Sequence, residues 1–174
     1  MTIILQKLEV LRSRLMIQGH KSGAILVVYP PEEELNFCSG YEEIIRELGA
    51  KYVPTHVVDF RTLIFDLLER RGLLQKAFRL DAAGSRDIFK NLANMVQRES
   101  LKQVTDAAGQ APEAIIFCFH TASLYPWISY SALLEETENL ISNTLIIPFP
   151  GMENGPALHL LGAKDGYNYR AARI

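Results

Sequence analysis

The chain has 174 residues, of which 48% are apolar and 22% charged, and its formal net charge is −2. This composition is typical of globular proteins and predicts a single domain over residues 1–174. No apolar run approaches the roughly 18 residues of a membrane helix, and residues 1–15 lack the continuous apolar stretch of a signal peptide. We therefore expect a cytoplasmic protein in which Cys38 and Cys118 are reduced, buried thiols.

The first third of the chain predicts two helices and two strands. Apolar residues at helical spacing in residues 4–15 predict a helix that ends at Gly19. Residues 24–29 (AILVVY) predict a buried parallel strand, because the run is continuously apolar and stops at two prolines. A helix is expected within residues 32–48, with an interruption near Gly40 and an end at Gly49. Residues 52–60 predict the second strand.

The middle of the chain predicts helices and then two further strands. Residues 62–71 and 73–80 predict two helical pieces separated by Gly72, and a one-sided apolar pattern over residues 88–96 predicts a helix capped by Ser85. Residues 106–112 are expected to form a loop. Residues 114–119 (AIIFCF) predict the third strand. A helix should then begin at Trp127 or Ser131 and end at Leu140, before a fourth strand over residues 144–147 that closes at Pro148, Pro150 and Gly151.

This alternation predicts an α/β fold, a mostly parallel sheet with helices on both faces. The layout is P-loop-like but lacks the P-loop. The tail differs, because residues 157–163 and 167–174 flank the sequence Lys-Asp-Gly at residues 164–166. That arrangement predicts a C-terminal β-hairpin, one strand of which extends the sheet.

The predicted strand ends carry no motif for phosphate binding or nucleophilic catalysis. A P-loop needs G-x-x-x-x-G-K-[ST] after the first strand, but residues 30–34 read PPEEE, which removes amide donors and repels phosphate. No G-x-G-x-x-G follows any strand. Asp59, His120 and Ser123 could form a hydrolase triad, yet Ser123 lacks the G-x-S-x-G elbow that exposes a nucleophile. The histidines lack metal-ligand spacing. We expect no enzyme activity, no cofactor and no metal, with a cryptic hydrolase or nucleotide-binding domain as the weakest alternative.

Charge is distributed unevenly along the chain. Residues 32–47 contain six acids and one base, residues 70–102 contain eight bases and three acids, and residues 103–163 contain six acids and no Lys or Arg. If the fold keeps these segments apart, the surface is charge-segregated and can steer partners. If the fold interleaves them, the asymmetry disappears.

One basic segment has a regular spacing. Arg86, Lys90, Arg98 and Lys102 follow a four-residue ladder with Asn94 at the missing position, which on a helix forms a slanting basic stripe opposite the apolar face. Such a stripe is typical of a solvated helix face, and its functional interpretation is binding of an acidic partner protein or a nucleic-acid backbone. Nucleic acid is the weaker option, because the net charge is slightly negative and no aromatic residues interleave the bases.

Two stretches are similar to the BrxB family of bacterial BREX (bacteriophage exclusion) systems. Residues 119–134 (FHTASLYPWISYSALL) place Leu-Tyr-Pro-Trp just after a strand, and residues 145–174 contain Pro-Gly after a strand, Leu-x-Leu-x-Gly and a terminal Tyr-Arg-Ala. The opening strand with PPEEE and residues 59–78 fit more loosely, so the resemblance covers most of the chain. Two positions depart from the family pattern: Ser129 stands where a base often occurs, and Asn168 precedes Tyr169 where a double Tyr is frequent. The resemblance is therefore that of a divergent member of the family.

The resemblance implies a role in excluding phage DNA beside a methyltransferase, a large ATPase and a PglZ-type phosphatase-fold protein, and it implies no enzymatic activity. A PglZ-type protein is the first expected partner. Residues 125–127 and Pro150, Gly151, Tyr169 and Arg170 are either interface anchors or structural elements, namely a helix entry that packs its rings and a sharp turn. The predicted partner-binding residues are Arg86, Lys90, Arg98, Lys102, Tyr125, Trp127, Tyr169 and Arg170.

Overall fold

A computed structural model describes residues 3–17, 23–84, 87–154, 157–161 and 171–174, without the side chains of residues 87–90 and 154. The helices are α1 (Ile3–Ile17), α2 (Glu34–Ala50), α3 (Leu63–Arg70), α4 (Leu74–Ala82), α5 (Asp87–Gln110) and α6 (Tyr130–Leu140). The strands are β1 (Gly23–Tyr29), β2 (Thr55–Asp59), β3 (Ile115–Phe119), β4 (Thr144–Asn154), β5 (Ala157–Leu160) and β6 (Ala172–Arg173). Short 3-10 turns cover Pro31–Glu33 and Thr121–Leu124.

The strands form a sheet in the order β2-β3-β4-β1-β6, in which every neighbouring pair is parallel. Successive residues of a strand point to opposite faces of a sheet, and here both faces are covered by helices. On one face, β1 residues such as Val27 pack with α1 and α2. On the other face, Leu26 and Val28 share a core with α3, α5 and α6. The predicted α/β fold with helices on both faces is therefore confirmed.

Strand β4 continues through two prolines, so the prediction that it closes at Pro148 is wrong. Thr121 Oγ1 donates to the carbonyl oxygen of Pro148 at 2.6 Å, and the backbone N–H of Leu161 donates to that of Pro150 at 2.9 Å. Both carbonyl groups therefore point away from β1. In a strand, the N–H and the carbonyl of one residue point to the same side, so the N–H groups that proline lacks would also point away from β1. Because β3 pairs with β4 only at Leu145 and Ile146, the missing N–H groups cost no hydrogen bond to β3.

Two helices are more continuous than the sequence predicts. The predicted loop over residues 106–112 is wrong, because α5 extends to Gln110 and buries the small side chains of Ala107 and Ala108. The predicted interruption at Gly40 is also wrong. A Cβ at Gly40 would lie 2.6 Å from Leu8 Cδ1, so this glycine lets α1 pack closely against an unbroken α2.

Among the described residues, the tail strands β5 and β6 pair with other strands and not with each other, which corrects the predicted hairpin around residues 164–166. Strand β5 runs antiparallel to β4, with Gly151 opposite Leu160, whereas β6 runs parallel to β1 at the edge of the sheet. The expectation that one tail strand extends the sheet is confirmed by β6. The turn itself and the proposed cap Ser85 lie outside the described residues. Within those residues, no helix is long and apolar enough to cross a membrane.

Candidate partner-binding surface

Proline and glutamate residues follow the carboxyl end of β1, where a P-loop protein has its phosphate-binding loop. The prolines lead into the turn Pro31–Glu33, and the Tyr29 hydroxyl donates to Glu34 Oε2 at 2.5 Å. The Tyr29 ring also stacks on Phe37, with ring centroids 4.0 Å apart. Burial, together with the Glu34 hydrogen bond and charge, raises the pKa of Tyr29 far above its usual value. This edge therefore carries carboxylates and prolines, above a buried and protonated Tyr29, rather than a cradle of backbone amides.

Asp59 and His120 meet at the ends of β2 and β3. Asp59 Oδ1 lies 2.9 Å from His120 Nδ1 and also accepts the backbone N–H of Arg61 at 2.9 Å. On the other side of the ring, Arg61 Nη2 lies 3.3 Å from His120 Nε2. Arg61 Nη2 also lies 3.5 Å from Asp59 Oδ2, so the guanidinium contacts both members of the pair. Partial burial raises the pKa of Asp59, but the hydrogen bonds from Arg61 and His120 and their charges outweigh it and hold that pKa below 3.8.

Ser123 does not complete a triad with this pair. Its hydroxyl lies 2.8 Å from the carbonyl oxygen of Phe60 and 2.7 Å from that of His120. These contacts direct the hydroxyl to the backbone, where it stabilises the turn after β3. His120 begins that turn with a left-handed φ of 52°. The arrangement lets the chain leave the sheet sharply, and it provides no nucleophile activated by the imidazole.

Neither cysteine is activated as a nucleophile. Both are free thiols, as predicted; Cys118 is buried, but Cys38 is only half-buried, which corrects the prediction for that residue. Burial raises the pKa of Cys118 to about 12. Burial, then the charge and hydrogen bond of Glu34, raise the pKa of Cys38 to about 11. Both groups are therefore protonated thiols at neutral pH.

The Tyr-Pro-Trp segment connects the turn after β3 to α6. Trp127 is partly buried against the core beneath α5 and α6, whereas 42% of Tyr125 is exposed. The backbone N–H of Ser129 donates to Gln97 on α5 at 3.0 Å, and the Ser129 hydroxyl accepts from Ala132 as the cap of α6. Trp127 thus packs against the core as a helix entry does, whereas Tyr125 and Pro126 are exposed and can be reached by a partner.

Gly151 does not form the sharp turn predicted for it. It lies within β4, and a Cβ at this position would come 2.2 Å from the carbonyl oxygen of His159 on β5. Glycine is needed here because two backbones approach closely, not because of its dihedral freedom.

Only part of the predicted basic stripe can be located. Arg98 and Lys102 are exposed on α5. Lys90 lies on the same helix without a described side chain, and Arg86, Tyr169 and Arg170 lie outside the described residues. Lys102 Nζ is 2.6 Å from Asp106 Oδ2, a pairing whose i,i+4 spacing was visible in the sequence. Arg98 has no ion pair with an acid in the part of the chain that the structure describes.

A neighbouring ion pair removes a second positive charge. Arg70 at the end of α3 forms an ion pair with Glu99 on α5, in which Arg70 Nη2 is 2.6 Å from Glu99 Oε1. The hydrogen bond and charge of Glu99 raise the pKa of Arg70 above its usual value. The described stripe is therefore partly neutralised, and its uncompensated charge is concentrated near Arg98.

Arg98 borders a groove between α4 and α5, which we call the α4–α5 groove. Its volume is about 560 Å³ and it is open to solvent along one side. Lys76 on α4 and Arg98 on α5 contribute the charged side chains of its lining. The remaining lining residues are apolar or amide side chains: Leu68, Leu73, Leu80, Asn91, Leu92, Asn94 and Met95. Sequence reasoning missed this groove, because the spacing along α4 shows its apolar side but not the gap that remains beside α5.

The charged segments are kept on opposite sides of the sheet. The acidic residues of α2 lie on the face covered by α1 and α2, and the basic residues of α4 and α5 lie on the other face. The predicted separation of these two segments is therefore confirmed. The charge separation is reduced by α6, because Glu135, Glu136 and Glu138 of that helix lie on the same face of the sheet as α5.

These features define an α/β domain with a helix-covered, mostly parallel sheet, a closed strand edge and a basic-rimmed apolar groove. The family model described as "BREX protein BrxB" matches residues 56–174, about two thirds of the chain. The chain therefore belongs to the BrxB family, which makes it a component of BREX phage defence and confirms the resemblance. The matched residues contain the α4–α5 groove and the tail. No curated protein and no solved structure matches the chain.

Proposed function

We propose that this protein is a non-catalytic docking component of a BREX complex, and that a PglZ-type phosphatase-fold protein is its partner. The observation that carries the proposal is the closed carboxyl edge of the sheet. Open α/β sheets bind ligands at that edge. Here two prolines and the turn Pro31–Glu33 follow β1, the Glu34 carboxylate accepts a hydrogen bond from Tyr29, and the Ser123 hydroxyl is directed to backbone carbonyls.

The features suited to binding lie elsewhere, on the helical surface. The α4–α5 groove combines apolar side chains with the uncompensated charges of Lys76 and Arg98, and Tyr125 is exposed beyond β3. Apolar pockets rimmed by Arg, and exposed tyrosines, are typical of protein interfaces. This distribution supports a macromolecular partner.

Nucleic acid is the second candidate partner, and it is judged by whether the basic residues around Arg98 are available to bind phosphates. A backbone-binding surface needs a continuous row of available bases. Lys102 is paired with Asp106 and Arg70 with Glu99, so two bases beside Arg98 are already neutralised. This pairing favours an acidic protein surface over DNA or RNA.

The test is co-purification of the tagged chain with PglZ from its own operon, at moderate and at high salt. We expect a stoichiometric complex that Arg170→Glu or the double variant Arg98→Glu/Lys102→Glu weakens. Arg46→Glu is the matched control, since Arg46 is exposed on α2 at the opposite face of the sheet. If no operon product co-purifies, the docking proposal is wrong.

Two further measurements address the rival functions. Salt-dependent DNA or RNA binding, lost on charge reversal of Lys90 and Arg98, would support the nucleic-acid function. A thermal shift with millimolar nucleotide would support a nucleotide-binding or hydrolase function. We expect neither effect.

A further inference from the structure

We infer that the α4–α5 groove binds an acidic amphipathic helix presented by a partner protein. The inference rests on the proposed docking function and goes further, because it names the surface and the chemistry of its occupant.

The groove can bury an apolar helix face. Its lining contains five large apolar side chains, Leu68, Leu73, Leu80, Leu92 and Met95. Leu68 and Leu92 belong to the core below, and Leu73 and Met95 pack against that core. The floor is therefore preformed, and binding there removes apolar surface from water without reorganising the sheet. Met95 adds an unbranched, flexible side chain that can adapt to different partner residues.

The rim specifies the charge of the occupant. Lys76 and Arg98 are exposed on the two helices that border the groove, and neither pairs with an acid among the described residues. Arg79, three residues after Lys76 on α4, is likewise exposed and has no such pair. Among the residues that the structure describes, the lining contains no acidic side chain. Carboxylates that flank an apolar stripe would therefore meet positive charge on both sides.

The shape and lining favour a helix over other occupants. A groove between two helices accepts apolar anchors at positions i, i+3 or i+4 and i+7 of a third helix, whose backbone polar groups are already satisfied. Single-stranded nucleic acid instead needs aromatic platforms on which bases stack, and none of the described residues that line the groove is aromatic.

Synthetic peptides and the full chain provide a direct test. The first peptide carries Leu at helical spacing with flanking Glu, the second has the same composition in scrambled order, and the third replaces Glu by Lys. We expect the Leu/Glu peptide to bind by fluorescence anisotropy and the other two to bind at least about tenfold more weakly.

Variants locate the peptide on the protein. Lys76→Glu/Arg98→Glu should weaken the Leu/Glu peptide by about tenfold or more and improve the Lys peptide. Met95→Gln, which keeps the side-chain length, should weaken both. The matched control is Arg46→Glu/Lys51→Glu on the opposite face, which should change neither affinity. Circular dichroism of each variant verifies that it is folded.

The outcomes separate this inference from the proposed function. Equal binding of the Leu/Glu and scrambled peptides, or groove variants that bind like the wild type, overturns the inference, as does preferential binding of duplex DNA. A PglZ complex that persists in the groove variants leaves the docking function intact but refutes the groove assignment. Groove-dependent peptide binding without any PglZ complex supports the groove and refutes PglZ as the partner.

Discussion

Gly151 on β4 faces His159 on β5 so closely that a Cβ at residue 151 would lie 2.2 Å from the His159 carbonyl oxygen and 2.8 Å from Phe149 Cε1. The nearer atom belongs to the backbone, so rotation of a side chain cannot relieve the contact. The antiparallel β4–β5 pair therefore depends on glycine at this position.

Gly151→Ala should lower the free energy of unfolding by roughly 2–3 kcal/mol, because the added methyl group forces the two strands apart. Urea denaturation measures the change. Gly109→Ala is the matched control. It lies in α5 with nothing within 4 Å of an added Cβ, and it should stabilise the protein by about 0.5–1 kcal/mol through helix propensity. A Gly151→Ala protein as stable as the wild type would contradict the close approach.

The parallel sheet was predictable because β1 and β3 are buried on both faces and so read as continuous apolar runs. The extension of β4 was not. A proline in a strand usually marks its end. Only the tertiary structure shows that Pro148 and Pro150 lack their N–H groups on the side of β4 where the pairing with β3 has already ended. The end of α5 was not predicted, because Gly109 and Pro112 are typical of a loop, whereas the burial of Ala107 and Ala108 in the core is visible only in the structure.

The candidate surface was predictable in part. The four-residue ladder correctly placed Arg98 and Lys102 on the exposed side of one helix. It could not show that Glu99 reaches Arg70 on α3, or that Lys76 on α4 faces Arg98 across a groove. Both relationships depend on how α3 and α4 pack beside α5, and helical periodicity describes each helix only by itself.

Asp59→Asn should change how stability depends on pH. The folded-state pKa of Asp59 lies below 3.8, so its carboxylate contributes stability above that pH and loses it as the pH falls through the lower folded value. The wild type should therefore be the more stable protein at about pH 5, and the difference should shrink as the pH falls below about 4. Urea denaturation across this range measures both proteins. Curves that stay parallel would show that the contacts with Arg61 and His120 do not stabilise the charged carboxylate.

Ser123→Ala distinguishes a structural serine from a nucleophile. Loss of its contacts with the carbonyl oxygens of Phe60 and His120 should cost about 1 kcal/mol of stability, while any complex with PglZ should be retained. Ser39→Ala, an exposed position on α2, is the control and should change stability by less than about 0.5 kcal/mol. If Ser123→Ala is as stable as the wild type, the hydroxyl has another role.

Cys38 should react slowly with thiol reagents, because its pKa of about 11 leaves little thiolate at neutral pH. In a Cys118→Ala protein, a chromogenic disulfide reagent at about pH 8 should modify Cys38 at least about tenfold more slowly than a free thiol of ordinary pKa. Glu34→Gln should accelerate the reaction, because the Glu34 charge and hydrogen bond both favour the protonated thiol over the thiolate. Glu43→Gln, at an exposed position of the same helix, should leave the rate unchanged. A wild-type rate equal to that of the free thiol would contradict both the burial of Cys38 and the influence of Glu34.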